Sequence, residues 1–186
     1  MKTANEKLLD ELIGHEVDLS RLSNSQVVAI IKILNSSDSE LRAALIVALE
    51  SLDASASMAA IDAALAPVLR SNQSTFLAVQ QAITGTVDGV SSYEIAFQAG
   101  VLRSVVPKLV QEGFPIAVAE FSQVRAIAMA RPFQGRLLGE WMAGIEADRA
   151  AAIRDAVRSG IVDGRTTPEI VRQIMGTKAQ NYTDGI

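Results

Sequence analysis

The chain has no cysteine and a single histidine, His15, among its 186 residues. Without thiols there are no disulfides, thiolate nucleophiles or thiolate metal ligands, and one imidazole cannot supply a site built from two. Aromatic residues are scarce, at 4% of the chain. Long apolar runs are absent too: VVAII ends at Lys32, and AALIVAL sits between Arg42 and Glu50. Neither approaches the ~18 to 20 apolar residues that a membrane span needs. Acids interrupt MKTANEKLLDEL where a secretory signal would carry its apolar centre. A protein soluble in the cytoplasm where it is made is the expectation.

Hydrophobic residues make up 49% of the chain and charged residues 20%, enough for one large packed domain or two small ones. A mean hydropathy of +0.24 is high for so few aromatics. Alanine-rich helices packed closely on partners would account for it, and an assembly subunit is expected. Charge is uneven. Residues 1–100 carry six Lys or Arg against twelve Asp or Glu, and residues 101–186 carry eleven against nine, so that −6 and +2 give the net −4. The basic excess of the second part is small, far from the dense clusters of sequence-independent DNA binding.

Local signals are helical throughout. Thr3 and Glu6 in TANE form a capping-box pattern. Leu8, Leu12, His15, Leu19 and Leu22 then follow at helical spacing, and Val27, Ile30, Ile31 and Leu34 extend the stripe despite Gly14 and the soft SNS stretch. A second box, Ser37 with Glu40, predicts a new helix carrying Leu41, Leu45, Leu49 and Leu52. Pro67 and Gly85, Gly89 and Gly100 predict three shorter helices near 58–70, 74–87 and 92–106. QEGFPIAVAEF is the one place for a short extended segment, near 114–121, and the best domain boundary. SQVRAIAMA makes a short helix that ends because Pro132 disfavours helical Arg131. From Phe133 the longest clean pattern begins, with Leu138, Trp141, Met142, Ile145, Ile153, Val157 and Ile161 on a broad face. TTPEIVRQIMG carries a cap at Thr166 or Thr167, Pro168 in the first turn and Gly176 as a stop. The predicted fold is all-α, an elongated bundle of about six to eight helices. Its expected domains are 1–112 and 122–186.

No residue stands out as catalytic, and neither a cofactor nor a metal site is expected. His15 lies in a leucine seam and reads as a buried or interfacial residue with one backbone partner. The glycines of GRLLG, GTVDG and GIVDG are turn or close-packing positions, since no Walker lysine or GxGxxG accompanies them. GIVDGRTTPEIVRQI opens like a helix-turn-helix reader, yet the following TKAQNYTDGI is short and not periodic, so a packing helix is favoured.

ARPFQGRLL, then EWM, then GRTTPEIVRQIMGT, within residues 130–186, stand in an unusual fixed order. This region resembles the minor head, or head-morphogenesis, proteins of tailed bacteriophages, the Mu F-like group. Residues 4–52, ANEKLLDELIGHEVDLSRLSNSQVVAIIKILNSSDSELRAALIVALESL, are similar to the amino-terminal helical region of that group, and 53–129 match mainly in helical character. Members of the group usually continue past YTDGI into an arginine- and histidine-containing helix and a carboxy-terminal domain, so a missing carboxy-terminal extension is expected. The resemblance implies a virion structural protein, not an enzyme. It would sit inside the head beside the portal vertex, in head assembly and in genome packaging or release, with no membrane in the assembled particle. Implied partners are the portal protein, the major capsid or scaffold protein, packaged DNA and further copies in the particle. Within that reading, Trp141 marks the main packing face. Arg131, Arg136, Arg149, Arg154, Arg158, Arg165 and Arg172 supply contacts to portal acids or DNA. The rivals are an internal ejection protein expelled with the genome and a helix-turn-helix-like DNA-binding regulator using residues 153–182.

Overall fold

The structure, a computed structural model, describes residues 3–53, 55–106, 112–113 and 117–176. Five helices follow in order: α1 (Ala4–Glu50), α2 (Met58–Val105), α3 (Phe121–Ala130), α4 (Leu138–Val162) and α5 (Thr167–Met175). The all-α class holds, and no strand occurs among the described residues. Among the described residues there are five helices where six to eight are predicted in the chain, because two expected sets of breaks do not occur.

The first expected break lies within α1. Thr3 does cap its start, donating from its amide to Glu6 Oε2 at 2.7 Å and receiving the Glu6 amide on Oγ1 at 3.3 Å. The Ser37 box does not form, and the helix runs through it. Serine hydroxyls along the way turn inward: Ser25 Oγ donates to the Leu22 carbonyl at 2.8 Å and Ser39 Oγ to the Asn35 carbonyl at 3.3 Å. Their hydrogen-bonding is met without breaking the helix. Leu41, Leu45 and Leu49 are buried just beyond. A cap contributes about 1 kcal/mol, whereas burial of each leucine contributes about 1.5–3 kcal/mol, so tertiary packing decides.

The three helices predicted between 58 and 106 are one helix, α2, with Pro67 inside it. Pro67 removes a backbone donor, but Leu65 and Val68 on either side are fully buried and hold the turn. Thr75 and Thr86 hydroxyls donate to the Ser71 and Ala82 carbonyls at 3.0 and 2.9 Å.

Of the extended segment expected near 114–121, residues 114–116 lie outside the described residues. Residues 117–120 form no regular element and Phe121 opens α3. Arg131 ends α3 in an extended conformation, φ −76° and ψ 116°, as the following proline requires. The pattern expected to open at Phe133 opens instead at Leu138. Residues 133–136 form a tight turn with Phe133 and Arg136 exchanging backbone hydrogen bonds at 2.9 and 3.1 Å. Gln134 and Gly135 both have positive φ, 47° and 81°, the backbone signature of a two-residue hairpin turn.

The described residues fall into two compact units, Met1–Ala29 with Gln81–Leu138, and Ile30–Gln80 with Gly139–Ile186. Both α1 and α2 contribute to each unit. The second unit holds the contiguous core. Leu41, Leu45 and Leu49 of α1, Ile61, Leu65 and Val68 of α2, Ile153 and Val157 of α4, and Ile170 and Val171 of α5 pack together. In the first unit only His15, Ser91 and Ala99 are buried among the described residues. There α1 and α2 meet at His15 and at Asp18, whose Oδ2 accepts from the Tyr93 hydroxyl at 3.3 Å. His15 Nε2 lies 2.8 Å from Glu94 Oε1, and the His15 ring stacks on Phe97 at 3.7 Å and Tyr93 at 5.1 Å between centroids. The histidine is buried as expected, but its partner is a carboxylate in place of a backbone group.

No helix among the described residues is long and apolar enough to cross a membrane.

Candidate interaction surface

The eight residues singled out for contacts divide between the two units. Arg131 and Arg136 belong to the first unit, exposed at the end of α3 and in the turn that follows. Trp141, Arg149, Arg154 and Arg158 lie on α4, Arg165 in the turn after it and Arg172 on α5, all in the second unit.

Within the second unit three of these arginines are already committed. Arg149 Nη2 donates to Asp38 Oδ1 of α1 at 2.6 Å, and Arg158 Nη2 donates to both oxygens of Asp62 in α2 at 2.8 and 3.1 Å. Arg165 bonds Asp163 at 3.0 Å and Gln173 Oε1 at 2.7 Å, bracing the α4–α5 turn. All three pairs are partly exposed, so each contributes at most about 1 kcal/mol. The larger effect of the Arg149 and Arg158 pairs is orientation: they set α4 against α1 and α2 through charge rather than apolar contact alone. Asn72, fully buried on α2, adds a polar registration by donating from Nδ2 to the Glu146 carbonyl of α4 at 3.2 Å.

Trp141 and Met142 are half-buried and Ile145 is exposed, whereas Ile153 and Val157 are fully buried. The apolar face of α4 is therefore covered in its second half and left part-open in its first. Arg154 is half-buried and Arg172 exposed, and neither forms an ion pair among the described residues.

The turn-helix that ends the described chain follows its local signals. Thr166 caps α5 and Glu169 reciprocates, accepting the Thr166 amide on Oε2 at 2.8 Å, with Pro168 in the first turn. Hydrogen bonds from the Thr166 backbone and then its side chain hold the Glu169 carboxyl below its ordinary value of 4.5. Gly176 stops the helix at φ 72°. Ile170 and Val171 face the core.

Against this helix, α1 presents Arg42, Ile46 and Glu50 at four-residue spacing. Together with Pro168, Val171 and Arg172 they line an open cavity of about 540 Å³. Arg42 did not stand out in the sequence. Its only local signal is that spacing, which matters once α5 is known to pack there. The first unit's Glu94, Tyr93 and Phe97 were likewise missed, because nothing in their neighbourhood shows that His15 lies opposite. No group of three or more His, Asp or Glu side chains able to hold a metal ion occurs among the described residues. Comparison with protein-family models, with curated proteins and with solved structures finds no match to this chain.

Proposed function

We propose that the chain is a structural protein of a tailed-bacteriophage head, held inside the capsid beside the portal and acting in head assembly and genome packaging or release. The observation that carries this is the order of three blocks, ARPFQGRLL, EWM and GRTTPEIVRQIMGT. In the structure these blocks are a hairpin turn, the first turns of α4 and a capped turn-helix. Each is a local device that needs its own residues, so their order is hard to assemble by composition alone. Contacts to the portal or to packaged DNA fall to the surface that remains after internal pairing. Arg154 and Arg172 in the second unit and Arg131 in the first are its basic positions, with the part-open Trp141 face as the apolar one. Further copies and the major capsid or scaffold protein are its other partners.

Peptide mass mapping of purified phage particles before and after DNA release tests the proposal. Retention in emptied heads supports a fixed head protein. Loss with the genome replaces it with an ejection protein, and absence from both states sinks the virion reading and revives the DNA-binding regulator.

A further inference from the structure

The cavity between α1 and α5 brings together two arginines that are 130 positions apart in sequence, Arg42 and Arg172. Other arginines of the same unit, Arg149, Arg158 and Arg165, meet a carboxylate of their own chain. Arg42 and Arg172 form no ion pair among the described residues. In a chain with a net charge of −4, a concavity lined by two guanidinium groups and one carboxylate, Glu50, is locally positive, although Arg172 also feels the Glu169 carboxylate of its own helix. Ile46, Pro168 and Val171 supply apolar wall, Thr167 and Gly176 line the cavity as well, and Glu50 stands about two turns beyond Arg42 along α1. The volume falls in the range of formed binding pockets, ~300–1,000 Å³.

We propose that this cavity is a docking site for an acidic peptide segment of a partner protein, one that seats an aliphatic side chain on Ile46, Pro168 and Val171 and presents carboxylates to Arg42 and Arg172. Guanidinium groups pair with carboxylates through two parallel hydrogen bonds, which fixes the direction of the segment as well as its charge. Phosphate has the same charge and also fits an arginine fork. A nucleic-acid backbone, however, brings no aliphatic group for Ile46, Pro168 and Val171, whereas a peptide brings both the carboxylates and the aliphatic side chain. The inference rests on the geometry of the second unit and stands apart from the virion reading, which the particle mapping tests separately.

The test uses the full chain, labelled with ¹⁵N, and two peptides blocked at both ends: ELDLE and its uncharged counterpart QLNLQ. ELDLE is expected to shift the amide signals of Ile46, Val171 and Arg172 saturably, and QLNLQ to leave them in place. R42Q and R172Q should each weaken ELDLE by about tenfold or more, the effect of losing one charge-assisted hydrogen-bonded contact. Both positions are exposed, so both variants should keep the native melting temperature. Should either lose it, R42K and R172K carry the test: they keep the charge without the planar fork, and weakened binding is expected. Equal shifts from both peptides, no shifts at all, or unchanged affinity in the folded variants overturns the proposal. So does a short DNA duplex that shifts the same amides when ELDLE does not, which would reassign the site to phosphate.

Discussion

Gly160 shows what a single missing Cβ does in this fold. It is buried on α4, and a methyl group built there would lie 2.5 Å from Ile170 Cγ1 and 2.7 Å from Cδ1. The α4–α5 contact therefore closes through glycine. Gly160→Ala should destabilise by about 1–3 kcal/mol, the usual cost of overpacking, read as a lower urea midpoint. Gly160→Ala with Ile170→Ala should cost less than the sum of the two single changes, because the second makes room for the first. Strict additivity would show that the contact does not set the helix spacing. The sequence already marked the GIVDG glycines as turn or close-packing positions, and the structure divides the labour: Gly160 packs, and Gly164 turns at φ 67°. Which glycine did which was hidden, since both stand in the same pentapeptide. Gly85 and Gly89, given the same reading, have open space where a Cβ would go. The arginines show a similar limit. Their spread along α4 was visible, but Asp38 and Asp62, which engage Arg149 and Arg158, lie 111 and 96 positions away.

At the scale of the element, caps and stops were legible where the chain's own neighbours decide them. Thr3 with Glu6, Arg131 before Pro132, and Thr166 with Glu169 all behave as local chemistry predicts. Breaks were misread where tertiary burial outweighed a weak local preference, as at Ser37 in α1 and across α2. That imbalance predicts the effect of removing the weak points. Gly85 and Gly89 are exposed helical positions with no steric need for glycine, so Gly85→Ala and Gly89→Ala should each stabilise by about 0.5–1 kcal/mol. A thermal melt reads this, and a loss of stability would mean that α2 does not run unbroken through these residues. Acid should act on α5. The Glu169 carboxyl is held below 4.5 by its bonds from Thr166. The stabilisation it gives is thus fully present above the ordinary value and lost as pH falls through the lowered one. Protection of the Ile170 and Val171 amides, measured against their intrinsic exchange rates, should fall over that acid window, and Glu169→Gln should flatten the dependence by removing the titrating group.

Across the whole molecule, the two compact units differ in how much they bury. The second packs side chains from four helices into a contiguous core, with Leu45, Leu65, Val68 and Val157 fully buried. The first leaves Leu9, Ile13, Val17, Ile127 and Phe133 exposed and joins α1 to α2 through the His15 contacts and the Tyr93 hydroxyl, which donates to Asp18 Oδ2 at 3.3 Å. Local stability follows buried apolar contacts, so slowly exchanging amides should concentrate at the core positions of the second unit. His15→Ala removes two ring stacks and takes from Glu94 its partner at 2.8 Å, leaving it the hydrogen bond from Gln98 Nε2 at 3.4 Å. The variant should lose protection around Leu19, Tyr93 and Phe97 while Leu45 and Val157 exchange as slowly as before. A uniform loss over both units would show instead that the chain unfolds as one cooperative body, with the His15 contacts contributing to the stability of every helix.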